Sequence, residues 1–120
     1  MEIMRENVIV TKSFEFAVKI VKFSFQMQND KKEYVISRQL LKSGTSIGAN
    51  IEESQGAISK AEFNAKLQIS LKEAKETKYW LRLIEATEIF NHPELKELQN
   101  NCGELILILT SILKSSKANK

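Results

Sequence analysis

At 120 residues, 42% hydrophobic and 28% charged, the chain is long and apolar enough for a single domain with its own core, which excludes a disordered segment or a disulfide-stapled mini-protein. The formal net charge is +3, yet Lys114, Lys117 and Lys120 fall in the acid-free last seven residues, KSSKANK; without them fifteen basic residues face fifteen acidic ones, so composition supports only a weak, tail-driven attraction to phosphate. The lone Cys102, the absence of a signal-peptide pattern in MEIMRENVIV and the lack of any run of ~20 apolar residues together predict a cytoplasmic protein with no membrane contact.

In chain order, residues 1–10 read as an N-terminal arm. A first helix follows from Thr11, a candidate N-cap, to Asn29, before the polar turn 30-DKKE-33. It carries two apolar faces. Phe14, Ala17, Val18, Val21 and Phe25 form one; Phe16, Ile20, Phe23 and Met27 form another nearly opposite, with Glu15, Lys19, Lys22 and Gln26 between. A bundle helix needs one apolar face, so the second is expected to be covered by another subunit; Phe16, Ile20, Phe23 and Met27 are taken as that interface.

The second helix is predicted over Glu33–Gly56, despite Gly44, Gly48 and Gly56. Glycine costs about 0.5–1 kcal/mol against alanine inside a helix. The apolar stripe of Ile36, Leu40, Ile47 and Ile51 nevertheless keeps helical register straight through them. Gly44 falls on that stripe, which points to close approach of a neighbouring helix rather than to a ligand loop. Beside it runs a polar line, Ser43, Ser46, Asn50 and Ser54, of which Ser46 and Asn50 are expected to bond a facing helix or its backbone; a polar ligand groove is the alternative.

The third helix opens at 59-SKAE-62, where Ser59 and Glu62 suit a capping box, and extends to Phe90. Phe63, Leu67, Ala74 and Leu81 face one way, while Ala65, Ile69, Trp80 and Leu83 face another; Ile69, Trp80 and Leu83 join the expected subunit interface. Its charges separate. Lys72, Lys75, Lys78 and Arg82 share a side with Tyr79, whereas Glu62, Glu73 and Glu76 cluster on another. Such separation occurs on ordinary solvated helices; its functional version is a basic strip for a nucleic-acid backbone, with Tyr79 available for stacking. The fourth helix begins at 91-NHPE-94 with Pro93 suited to the first helical position, runs to Ser115 along the seam Leu95, Leu98, Cys102, Leu105, Leu109 and Ile112, and ends in a basic flexible tail, 114–120. With no alternating strand pattern, residues 1–120 form one all-α domain of four helices.

Catalytic chemistry is scarce. His92 is the only histidine and sits in a helix-capping turn, Cys102 lies in an apolar seam, and neither zinc-ligand spacing nor a phosphate loop occurs. Adjacent Glu52 and Glu53 diverge by about 100° and form no dyad. No catalytic residue, metal or cofactor is expected.

The run 42-KSGTSIGANIEESQGAISKAEFNAKLQISLKEAKETKYWL-81, with 12-KSFEFAVKIVK-22 before it, resembles the proteins encoded by intervening sequences of bacterial 23S ribosomal RNA genes. The resemblance spans about residues 7–113. It implies an antiparallel up-and-down four-helix bundle, a five-fold ring of identical subunits, and similarity in fold to accessory proteins of diversity-generating retroelements, which bind nucleic acid through basic surfaces. Two functions remain open: a non-enzymatic oligomer that contacts structured RNA or DNA, or a nucleic-acid-handling protein; and a purely protein–protein scaffold with no nucleic-acid affinity.

Overall fold

A computed structural model describes residues 2–118, with side chains from residue 8 onward. Four helices account for nearly all of it: α1 Glu2–Lys31, α2 Val35–Gln55, α3 Lys60–Thr87 and α4 Leu95–Ala118. At 1.5 Å per residue, the 30 residues of α1 span about 45 Å, close to the bundle's 48 Å long axis.

Local chemistry sets most boundaries. Tyr34 caps α2 without a side-chain bond, and Glu33 takes over: its carboxylate accepts from the N–H groups of Val35 (3.1 Å), Ile36 (2.9 Å) and Ser37 (2.9 Å). Three of the orphan donors at the helix start are thereby satisfied by one anion. At α3, Ser59 Oγ accepts from Glu62 N at 3.0 Å, while Glu62 reaches back to Ile58 N at 2.9 Å rather than to Ser59 itself. α3 stops at Thr87, three residues short of expectation, because Glu88 turns left-handed (φ 56°) and releases Phe90 to fold into the core. α4 begins at Leu95, two residues after Pro93, where His92 O accepts from Leu95 N at 3.1 Å.

Side-chain pairs between helices run in opposite directions along every contact. Ser13 meets Gly48 and Gln28 meets Ser37 between α1 and α2; Ile47 meets Ser70 and Ser43 meets Thr77 between α2 and α3. Glu85 meets Gln99 and Asn64 meets Ser116 between α3 and α4; Lys12 meets Glu104 and Lys19 meets Glu97 between α1 and α4. Each neighbouring pair is therefore antiparallel. α1 and α3 stand at opposite corners of the square, as do α2 and α4.

The core is built from Phe16, Ile20, Phe23 and Met27 of α1, Leu40, Ile47 and Ile51 of α2, Leu67, Ala74, Leu81 and Ile84 of α3, and the whole predicted seam of α4. This corrects the interface expectation for four residues. Phe16 and Phe23 are each 2% exposed and Ile20 and Met27 fully buried, so they cannot meet another subunit; the outward face is the other one. Two further corrections concern the ends. Residues 2–10, expected as an arm, are the first turns of α1, and Ile9 is buried one heptad before Phe16. Of the expected tail, residues 114–118 are helical, with Ser116 tied to Asn64 at 2.6 Å; residues 119 and 120 lie outside the described residues.

The glycines of α2 mark where α1 comes closest. A Cβ on Gly44 would sit 2.8 Å from Ile20 Cγ2, and one on Gly48 would sit 3.3 Å from the backbone oxygen of Ser13. Both distances are shorter than ordinary contact, so a side chain at either position would force its neighbour on α1 to shift.

Candidate nucleic-acid and assembly surfaces

On a neutral body, what matters is which cations are already paired. Along the helix seams, Lys12 pairs with Glu104 (3.3 Å), Lys19 with Glu97 (2.6 Å) and Lys66 with Glu53 (2.7 Å). The Glu97 and Glu53 hydrogen bonds hold the Lys19 and Lys66 ammonium groups above the usual lysine range. Most other cations of the described residues have no such partner, Lys72, Lys75, Lys78 and Arg82 among them. All four are exposed, and among the described residues none has an acidic partner within ion-pair distance. Their spacing of three, three and four keeps them on one side of α3 over about 15 Å of axis.

Tyr79 lies within this strip and is 52% exposed. Its ring stands edge-on to Trp80, with centroids 5.1 Å apart at 71°, and Trp80 Nε1 donates to Glu76 Oε2 at 3.1 Å. The tyrosine is thus braced from the side facing α2, where Glu62, Glu73 and Glu76 lie. On the other side, Lys78 overhangs the α3–α4 groove, an open hollow of about 670 Å³ lined also by Asn100, Asn101, Gly103 and Leu107.

The polar line of α2 bonds mostly within its own helix. Ser46 Oγ donates to Lys42 O (2.6 Å), Asn50 Nδ2 to Ser46 O (2.8 Å) and Ser54 Oγ to Ile51 O (2.6 Å), all within α2. Only Ser43 reaches across, bonding the Thr77 hydroxyl at 2.9 Å. The expectation that Ser46 and Asn50 bond a facing helix is corrected: carbonyls four residues back were nearer. Ser70, which donates to Ile47 O at 2.8 Å, supplies another buried α2–α3 bond and was not foreseen. Its position three residues after Leu67 and four before Ala74 is the signal that places it on the buried face.

Cys102 is buried and donates to Ala74 O at 3.3 Å; desolvation pushes its thiol up to about 12, the reverse of an activated nucleophile. His92 accepts from Glu94 N at Nδ1 (3.1 Å), which leaves Nε2 as the donor to Gln26 Oε1 (3.0 Å), and its ring packs edge-on against Phe23. Among the described residues no three of His, Cys, Asp and Glu gather as metal ligands, and no helix is long and apolar enough to cross a membrane.

The unpartnered apolar surface lies on the outer face of α1. Phe14 (62% exposed), Val18, Val21 and Phe25 (51% exposed) follow a four-three-four spacing directly opposite the core stripe. Of the remaining interface residues, Ile69 is exposed and Leu83 half-buried, while Trp80 is half-buried and packs against the core.

The sequence model of the family described as 23S rRNA-intervening sequence protein matches residues 5–111. A solved structure of a protein of unknown function from the S23 ribosomal protein family of Bacteroides thetaiotaomicron is 47% identical, covers 92% of this chain and 98% of its own, and superposes with a TM-score of 0.88. No curated protein matches the chain. With four antiparallel helices and a family match across nearly its whole length, the chain belongs to the 23S rRNA-intervening sequence protein family.

Proposed function

We propose that this protein is a non-enzymatic, self-associating, cytoplasmic helical bundle that presents the basic strip of α3 to structured RNA or another nucleic acid. One observation carries the reading. While Lys12, Lys19 and Lys66 are neutralised by acids on neighbouring helices, Lys72, Lys75, Lys78 and Arg82 are left together and unpaired. Four unpaired cations within about 15 Å attract a phosphate backbone even when the whole body is neutral. The free thiol of Cys102 supports a reducing compartment.

A gel-shift with total cellular RNA at moderate salt tests it. Wild type should retain RNA, and Lys75→Glu with Arg82→Glu should abolish retention. Unchanged retention in the double variant, or none in wild type, refutes the strip.

Self-association rests on the outer face of α1, and the family resemblance implies five subunits. Light scattering should show an assembly for wild type and its loss for Phe14→Glu with Phe25→Glu, while circular dichroism stays helical. A monomeric wild type refutes this half of the proposal. The exposed apolar seam also favours a second reading, a protein scaffold with no nucleic-acid role, which predicts assembly together with salt-independent indifference to RNA.

A further inference from the structure

Resting on the reading of α3 as a nucleic-acid surface, we infer that the element it takes is an unpaired strand, such as a loop or bulge of a folded RNA, with one base stacked on Tyr79. Three features of the helix point there. The cationic strip is one helix face wide and about 15 Å long, enough for a short run of phosphates on one strand. Tyr79 stands within it, half-exposed, its ring held by the edge-on contact with Trp80, which is itself fixed by the 3.1 Å bond to Glu76. A braced aromatic ring beside cations is a stacking platform, and only an unstacked base can reach it.

The third feature works against a duplex. Glu73 and Glu76 occupy the flank of α3 that faces α2, on the far side of Tyr79 from Lys75, Lys78 and Arg82. A helix with its side chains is about 10–12 Å across, comparable with the roughly 6–12 Å groove widths of double-stranded DNA. A duplex that laid one strand on the lysines would therefore bring its second row of phosphates over these carboxylates. A single strand meets only the basic side and turns its bases toward Tyr79. Beside that ring lies a hollow of about 280 Å³ lined by Arg82, Leu83, Glu85 and Ala86, where a stacked base has room.

The test is fluorescence anisotropy with a labelled 12-nucleotide oligouridylate and a 12-base-pair RNA duplex. Wild type should bind the oligouridylate at least about tenfold more tightly than the duplex, and Tyr79→Ala should weaken it by about 5- to 150-fold, the worth of one stacked base. Tyr79→Phe should bind like wild type. The slope of log affinity against log salt should be no steeper than about −3, should be unchanged by Tyr79→Ala, and should flatten by about 0.7 with Lys75→Ala. Duplex bound as tightly as single strand, or full affinity in Tyr79→Ala, overturns the inference. If Lys75→Glu with Arg82→Glu still abolishes binding in that case, the strip itself survives. Absence of binding to either oligonucleotide overturns both.

Discussion

Two glycines in equivalent local settings allow the α1–α2 contact to be weighed directly. Gly44 and Gly103 both lie in helix interiors, so replacing either with alanine gains the same propensity, about 0.8–1 kcal/mol. The surroundings differ. A Cβ at Gly103 meets nothing within 4 Å, so Gly103→Ala should stabilise by the full amount. A Cβ at Gly44 lands 2.8 Å from Ile20 Cγ2 and 3.0 Å from Cγ1, and Ile20 is fully buried. A β-branched side chain in a helix has one good χ1 rotamer, so relief requires a shift of backbone or an off-rotamer side chain, costing about 1–3 kcal/mol. Net, Gly44→Ala should destabilise by about 0–2 kcal/mol. With an unfolding entropy near 2.1 cal/mol/K per residue over 120 residues, 1 kcal/mol moves the Tm by about 4 °C. Calorimetry and urea titration at one fixed protein concentration should therefore show Gly103→Ala rising by about 3–4 °C and Gly44→Ala level or falling by up to about 8 °C. A gain at Gly44 equal to that at Gly103 would refute the close approach.

Ser24 is fully buried and its hydroxyl has no hydrogen-bond partner among the described residues, so Ser24→Ala should stabilise by about 1 kcal/mol in urea titration. Phe16→Ala should cost about 3–5 kcal/mol, against within about 0.5 kcal/mol for Phe14→Ala in a form too dilute to assemble; equal costs would mean the two faces of α1 are misassigned. Burial keeps the Cys102 thiol protonated to about pH 12, whereas in the unfolded chain it ionises near 9.0. The unfolded state therefore binds fewer protons across that interval, and stability falls as pH rises through it, by up to about 1.4 kcal/mol per unit. Cys102→Ala should flatten the pH dependence of urea midpoints above pH 9, and parallel curves would show the thiol to be solvated.

The four helices were legible because their apolar positions recur with helical period; every residue of the α4 seam from Leu95 to Ile112 is buried as its spacing predicts. The choice between the two faces of α1 was not legible. Phe14, Val18, Val21 and Phe25 are as apolar as Phe16, Ile20, Phe23 and Met27, and periodicity carries no sign saying which turns inward. The deciding contact is made by α2, whose Gly44 and Gly48 fit Ile20 and Ser13 and no residue of the other face. Thr11 imitated an N-cap although Ile9 already continued the inner stripe. Lys72, Lys75, Lys78 and Arg82 were visible as a group from spacing alone. That they stand unpaired was not, because the partners of Lys12, Lys19 and Lys66 lie 92, 78 and 13 residues away in the chain.

The diagonal placement of α1 and α3 has a consequence for how strength of attachment would scale. On each copy the α1 face formed by Phe14, Val18 and Phe25 lies at the corner diagonal to the lysine row, so that face can be buried without its own row being covered. Every added copy then contributes another handhold, and a long strand touching several at once would be held by effective concentration rather than by any single grip. Short fragments would slip off where long transcripts stay.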